Sequence, residues 1–151
     1  MTEDRSHDIE TNAERERLHA LIARLTDADL GRAMPGGWTV AGLLAHAAYW
    51  DARAIYWLDK WARGTAPSGY EHENVEAVND AAKPLCLALP PRIAADLAMR
   101  LAEEADGKVK ALSDAMLATI RAAGGPPFNL SRATHRKEHL DEIERLFPKP
   151  R

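Results

Sequence analysis

The chain has 151 residues, of which 46% are hydrophobic and 28% are charged, and this composition is typical of one globular domain. Its formal net charge is −3, so there is no basic surplus that favours nucleic acid or an anionic membrane surface as a partner. The single cysteine excludes an internal disulfide, the apolar runs are too short to span a bilayer, and the N-terminus has no apolar signal-peptide core, which together predict a cytoplasmic protein.

The predicted elements are helices, and they begin after a short polar segment. Residues 1–10 are predicted to form a flexible tail ahead of a single helical domain, residues 11–148. Thr11 and Glu14 have the spacing of a capping box, in which two side chains satisfy the free N–H groups at a helix start. The first helix is therefore expected over residues 11–25.

A connection and a long amphipathic helix follow. Residues 26–37 end in a proline and two glycines, which indicates a connection. Thr39 is a suitable N-cap and Gly64 a natural stop, so the second helix is predicted over residues 39–63. At about 100° per residue, one face of this helix is apolar. That face contains Val40, Leu43, Leu44, Ala47, Trp50, Ala54, Leu58 and Trp61.

The second half of the chain predicts further helices. Residues 73–82 are predicted to be helical, with Pro84 bending or ending that helix. Long helices are expected over residues 91–112 and 131–147, with a shorter helix over 113–123 between them. The apolar side of the first of these long helices is formed by Ile93, Leu97, Leu101, Val109 and Leu112. No alternating strand pattern is evident, and four main helices predict an all-α protein with a four-helix bundle.

Histidines are the first candidate functional residues. The chain has six of them: His7, His19, His46, His72, His135 and His139. His135 and His139 are four residues apart on the last predicted helix, so both rings lie on one face, where they can chelate one ion. The same spacing is also common on solvated helix surfaces, and the pair alone does not decide between these alternatives.

The positions of three histidines on their helices strengthen the metal hypothesis. If Leu140 and Ile143 mark the core-facing stripe of the last helix, His135 and His139 fall at one edge of that stripe. His46 has the same position on the second helix. Three imidazoles at stripe edges can meet at the mouth of a bundle, where partial burial favours the neutral ring that binds metal. Three unrelated histidines at helix edges remain the alternative.

Four other side chains are candidates for the surroundings of this site. Asp51 lies near the centre of the apolar face of the second helix, so it is expected either to orient a ligand histidine or to be a buried acceptor paired with an arginine. Glu142 can be a fourth ligand, a general base or a solvated neighbour of His139. Trp50 and Trp57 are spaced as core residues, and either can also form a wall of the metal pocket.

The remaining polar candidates are expected to be inert. Arg132 and Arg136 border the histidines in sequence and can attract an anionic substrate, but solvated arginines are the expectation. Cys86 lies in an apolar run and is expected to be a buried thiol without catalytic function. Three histidines are left outside the site: His7, His19 and His72.

Two segments resemble a known family. Residues 36–53, GGWTVAGLLAHAAYWDAR, are similar to the second-helix signature of the DinB/YfiT-like superfamily, and residues 135–143, HRKEHLDEI, are similar to its last-helix segment with His-x-x-x-His. Residues 76–81, with Asn79, weakly resemble the segment before the family's third helix. The order of these motifs and the chain length agree with the family, so the resemblance covers nearly the whole chain.

The resemblance implies a four-helix bundle with a site for one divalent metal ion, most often zinc or nickel. His46, His135 and His139 match the three ligand positions of the family. Its characterised members include thiol S-transferases that use bacillithiol and maleylpyruvate isomerases that use mycothiol. These activities imply a small-molecule substrate, with mycothiol or bacillithiol as a co-substrate.

The function predicted from these points is a metal-dependent enzyme, with a low-molecular-weight-thiol S-transferase as the first choice. Three neutral histidines leave an open position on the ion, which is the pattern of a catalytic site. A metal-dependent hydrolase, a non-catalytic metal-binding protein and a metal-free interaction module are the alternatives. A homodimer also stays open, because the sequence does not determine the oligomeric state.

Overall fold

A computed structural model describes residues 2–67 and 73–151 of the chain. Its elements in those ranges are α1 (Ser6–Arg24), α2 (Asp27–Leu30), β1 (Ala33–Met34), β2 (Trp38–Thr39), α3 (Val40–Ala62), α4 (Val75–Ala88), α5 (Pro91–Lys110), α6 (Asp114–Ala122) and α7 (Ala133–Leu146). The two strands form a hairpin only two residues long on each side. The all-α prediction is thus confirmed.

Four helices form the bundle that the sequence predicts. Helix α3 packs against α5 and α7, and α1 packs against the same two helices, so these four elements close a ring around the core. Helix α4 lies outside this ring against α3. Because α3 and α7 are neighbours, residues on their facing edges can share one site.

The core combines large side chains on α1, α3 and α7 with small ones on α5. The buried residues of α5 are mostly alanines, which allow α3 to approach closely, since the separation of packed helices depends on the side chains between them. Ile93, predicted to face the core, is 51% exposed. The buried alanines of this helix are Ala94, Ala95, Ala98, Ala102 and Ala105.

The first helix begins at Ser6, five residues before the predicted start. The Asp4 carboxylate accepts a hydrogen bond from the backbone N–H of Ser6, at 2.9 Å, and thereby satisfies one free donor of the helix start. Arg5 forms an ion pair with Asp114 on α6, at 2.9 Å. Thr11, predicted as the cap, lies inside the helix and is buried. The segment predicted as a loose tail thus contains the first turn of α1.

The predicted connection 26–37 contains local structure. Thr26 and Asp29 form a capping box at the start of the one-turn helix α2. Gly36 and Gly37 have φ angles of 74° and 75°, which favour glycine, and they turn the chain from β1 into β2. This turn brings the chain directly to Thr39, which caps α3 as predicted.

Helix α4 continues through Pro84, although the sequence predicts a bend or an end there. Proline removes the hydrogen bond to the carbonyl four residues earlier, which belongs to Asp80. Both residues are exposed, so water can satisfy this carbonyl. Near the end of α4, Leu87 lies over Gly42 of α3, where an added Cβ would stand 2.7 Å from Leu87 Cδ2. Glycine thus permits the close approach of the two helices.

In the part of the chain that the structure describes, none of the helices combines the length and apolar character that crossing a membrane requires.

Candidate metal centre

Three histidines from two helices converge at one point of the bundle. His46 lies on α3, and His135 and His139 lie one turn apart on α7. The Nε2 atom of His135 is 3.1 Å from Nε2 of His46 and 2.9 Å from Nε2 of His139. These residues can each offer one ligand atom such that all three atoms lie within 4.8 Å of one another.

The geometry of this cluster fits a single divalent ion. Nitrogen ligands at about 2.0–2.1 Å from one ion stand about 2.9–3.4 Å from one another in octahedral and tetrahedral sites. Without an ion, the Nε2 atom of His135 cannot satisfy both neighbours, because one ring nitrogen either donates or accepts a single hydrogen bond. The three nitrogens therefore form a donor set suited to zinc, nickel or a similar ion.

Burial keeps these imidazoles neutral. His46 is 5% exposed, and desolvation lowers its pKa to about 4, with repulsion from His139 adding to the effect. Burial likewise lowers the pKa of His135 to about 3, assisted by the neighbouring histidines and arginines. The pKa of His139 is also lowered by burial, against the opposing effect of Glu142. All three rings are thus in the state that binds metal at neutral pH.

Glu142 contacts the outer nitrogen of His139. Its Oε1 atom lies 3.3 Å from Nδ1 of His139, whereas the Nε2 atom of the same ring faces the cluster. A carboxylate at Nδ1 favours a proton there and leaves Nε2 free as a ligand. Glu142 therefore has the position of a residue that orients a ligand, on the side of the ring opposite the convergence point.

Asp51 is buried, and its partners are arginines. Its Oδ1 accepts a hydrogen bond from Nε of Arg132 at 2.9 Å, and its Oδ2 accepts one from Nη2 of Arg136 at 3.3 Å. Among the described residues, no histidine forms a hydrogen bond with Asp51. The structure thus favours the alternative of a buried acceptor paired with arginine.

The expectation of solvated arginines is wrong. Arg132 is 6% exposed and Arg136 is 3% exposed. Arg136 also donates two hydrogen bonds to Asp106 on α5, at 2.9 and 3.0 Å, and Asp106 accepts another from Arg15 on α1 at 2.9 Å. We call this set the arginine–aspartate network: Arg15, Asp51, Asp106, Arg132 and Arg136.

A pocket of about 530 Å³ lies beside the three histidines. Trp50 lines it and donates a hydrogen bond from Nε1 to Oδ1 of Asn79 at 2.9 Å. Trp57 is not among the lining residues and packs instead with the cluster around Leu58. Trp50 thus gives the pocket an aromatic wall next to His46.

Sequence reasoning missed several lining residues: Arg53, Glu73, Asn79, Asn129 and Glu138. For two of them the sequence did contain an indication. Glu138 is three residues after His135 on the same helix, and Asn79 lies in the segment that resembles the family. Glu73 and Asn129 lie outside the helices, where helical periodicity gives no guide to their position.

The other residues left out of the site lie elsewhere. His19 Nε2 stands 3.2 Å from Glu103 Oε1, and His7 Nε2 stands 3.4 Å from Asp8 Oδ1. His72 lies outside the described residues. Cys86 is buried as expected, and burial raises the pKa of its thiol.

The fold and the histidine cluster define a class of protein, a helical bundle with a three-histidine group that could hold a metal ion. A sequence model of the DinB superfamily matches residues 10–139, and the chain belongs to this superfamily. The matched range contains all three histidines of the cluster. Neither a curated protein nor a solved structure matches the chain.

Proposed function

We propose that the protein is a divalent-metal-dependent enzyme that transfers a low-molecular-weight thiol, mycothiol or bacillithiol, to an electrophilic small molecule. His46, His135 and His139 are its metal ligands in this proposal. The observation that carries it is the convergence of three neutral Nε2 atoms beside a pocket large enough for a small molecule. Zinc and nickel are the proposed ions.

The bound ion would supply one chemical function, the lowering of the pKa of a coordinated thiol so that a nucleophile exists at neutral pH. The chain's own residues supply the rest. Glu142 holds His139 with Nε2 towards the cluster, and Trp50 shields one side of the pocket from water. We assign to the carboxylate of Glu138, which also lines the pocket, the role of accepting the proton that the thiol releases.

In the proposed reaction, sulfur forms a bond to the electrophilic carbon as the bond from that carbon to its leaving group breaks. The leaving group departs with the electron pair of the broken bond. Three neutral histidines add no negative charge to the site, which supports binding and activation of an anionic sulfur. The same ligands also suit a metal-dependent hydrolase or a protein that only binds metal, and the experiment below separates these functions.

The test combines metal analysis with a thiol-transfer assay. Protein loaded with zinc or nickel is incubated with mycothiol or bacillithiol and the fluorogenic electrophile monochlorobimane. We expect turnover that disappears on chelation and in His139→Ala, and that is unchanged in His19→Ala. Absence of a stoichiometric metal would refute the proposed site. Metal binding without thiol transfer would refute the transferase, and cleavage of an ester substrate would then identify a hydrolase.

A further inference from the structure

The pocket wall contains a buried guanidinium group with one unused nitrogen. Arg132 lines the pocket and is 6% exposed. Its Nε donates to Asp51 and its Nη1 donates to the carbonyl of Asn129 at 3.1 Å. Within residues 2–67 and 73–151, its Nη2 makes no hydrogen bond to the protein. Arg132 is therefore held rigidly by two bonds and keeps one charged donor for a ligand.

Two amide side chains of the same pocket also keep their donors. Asn79 Oδ1 accepts from the indole N–H of Trp50, and Asn129 Oδ1 accepts from the backbone N–H of Ser131 at 3.0 Å. Both partners can only donate, so the oxygen of each amide must face them. Each NH₂ group is then left to donate to another partner. The polar wall thus offers three donor groups, on Arg132, Asn79 and Asn129.

Charge favours an anion over a neutral acceptor. The arginine–aspartate network contains three guanidinium groups and two carboxylates, so with Arg132 included it carries one net positive charge. Arg53 and Glu73, also at the pocket, form an ion pair at 2.7 Å. Glu138 is exposed, so solvent screens its charge, whereas the buried charge of Arg132 is screened less.

We propose that this pocket binds a carboxylate group through Nη2 of Arg132, with the amides of Asn79 and Asn129 as further donors. The substrate class is then a small organic acid, bound next to the three histidines. The carboxylate can belong to the electrophile or to the thiol. The assignment to a substrate rests on the proposed function, whereas binding of the carboxylate does not.

The test measures carboxylate binding directly. It uses protein whose metal ions have been removed with a chelator, so that no carboxylate can bind to a metal ion. Succinate and its neutral analogue succinamide are titrated while NMR follows the side-chain N–H signals of Arg132, Asn79 and Trp50. We expect succinate to shift these signals and to bind at least about tenfold more tightly than succinamide, since charge-assisted hydrogen bonds are about twice as strong as neutral ones.

Asn79→Asp is the decisive variant. It keeps an acceptor for Trp50, replaces the NH₂ donor by a charged oxygen and leaves the network intact, so it should weaken succinate binding about tenfold or more. Lys110→Gln is the control for net charge, because it makes the same change of one charge at the groove between α1 and α5, outside the lining of this pocket, and should alter binding less than about twofold. Arg132→Lys should also weaken binding, and Asn79→Asp carries the test if Arg132→Lys does not fold.

The binding results test the carboxylate site independently of the proposed thiol transfer. Equal binding of succinate and succinamide, or unchanged binding in Asn79→Asp, would overturn the carboxylate site even if thiol transfer is observed. Selective succinate binding supports the site even if no thiol is transferred. Binding of N-acetylcysteine and of its amide is then compared on zinc-loaded protein. This comparison identifies which reactant, the thiol or the electrophile, carries the carboxylate. A preference for the acid supports a carboxylate on the thiol, and equal binding alongside the succinate result supports one on the electrophile.

Discussion

Two groups of polar side chains lie side by side where α7 meets α3, and they differ in how completely their hydrogen bonds are satisfied within the protein. In the arginine–aspartate network, both carboxylates accept hydrogen bonds from two arginines each. In the histidine cluster, neutral nitrogens face one another, and Nδ1 of His46 has no partner among the described residues. The carboxylates of the first group are satisfied within the protein, and in the described part of the chain Nη2 of Arg132 is left as a free donor, whereas the nitrogens of the second group are ligand atoms for a metal ion.

The arginine–aspartate network also supports the position of the histidine cluster. The network joins α7 to α1, α3 and α5, and Arg132 and Arg136 flank His135 in sequence. Fixing these two arginines therefore fixes the rotation of α7 about its axis. That rotation determines whether His135 and His139 face His46. The arginine–aspartate network therefore helps to hold the three histidines in position.

Asp51→Ala should have the largest effect, because it leaves two buried guanidinium groups without their shared carboxylate. Removal of one member of a buried ion pair costs about 3–5 kcal/mol, and we expect a loss of this size in the free energy of unfolding measured with urea. Asp51→Asn, which retains one acceptor, should lose less. Asp141→Ala, at a half-buried ion pair between α7 and α1, should lower the urea midpoint only slightly, because its partner Arg17 keeps two other carboxylates. Equal losses in all three variants would contradict the proposed role of the network.

His135→Ala should lower metal affinity by more than about 100-fold while leaving the network in place, because one of three ligands is lost. His46→Ala and His139→Ala should behave alike in a competition titration with a metal-sensitive dye. His19→Ala is the control, since His19 contacts Glu103 outside the cluster. A comparable loss of affinity in this control would show that the ligands are assigned to the wrong histidines.

Glu142→Gln should have a smaller effect, about tenfold on metal affinity, because the residue contacts His139 at Nδ1 and not at the ligand atom Nε2. The amide can still accept from Nδ1 but carries no charge, so the ring is held less firmly in the required tautomer. Glu103→Gln is a suitable control at a histidine outside the cluster. If Glu142→Gln abolished binding as completely as His135→Ala, Glu142 would be a direct ligand.

The smallest expected effect is that of moderate acid. Three histidines with an ordinary pKa of about 6.5 would lose about 30-fold in metal affinity between pH 7 and pH 6, because protons compete for each ring. With the pKa of His46 lowered to about 4 and that of His135 to about 3, the loss should be below about threefold. It should become steep only towards pH 4.

The stability of the metal-free fold should fall over the same range. Below about pH 6.5 the unfolded histidines take up protons that the folded rings do not, so acid favours unfolding until the pH reaches the folded pKa values. Circular dichroism at each pH would therefore accompany the affinity measurements. A 30-fold loss of affinity at pH 6, with the fold intact, would show that these rings are not desolvated.

The sequence predicted the bundle and the candidate cluster because the relevant residues follow helical periodicity. His135 and His139 are one turn apart, and α3 begins and ends within a residue or two of the expected positions. The pairing of Asp51 with an arginine was among the alternatives, but the burial of Arg132 and Arg136 was missed although it follows the same periodicity. Continued backwards in steps of four, the stripe of Leu140 and Ile143 reaches Arg136 and Arg132, and long charged side chains were assumed to be solvated.

Other features were not readable from local pattern. On α5 the buried face consists mostly of alanines, so the predicted stripe of larger side chains follows the edge of that face, where Leu97 and Leu101 are half-buried and Ile93 is exposed. The continuation of α4 through Pro84 depends on the exposure of that turn, which only tertiary packing determines. Pocket residues on loops, such as Asn129, are likewise brought to the site by the path of the whole chain and not by a periodic pattern.

The placement of His46 on α3 and of its two partners on α7 has a consequence for the stability of the fold. The contact between His46 and His135 spans 89 residues, and one ion bound to all three rings would close this long loop. A disulfide that closes a loop of about 100 residues lowers the entropy of the unfolded chain by an amount equivalent to about 4–5 kcal/mol. With Cys86 as its single cysteine, this chain cannot form an internal disulfide. An ion at the cluster would serve as the corresponding cross-link, one that acid or a chelator removes without breaking a covalent bond.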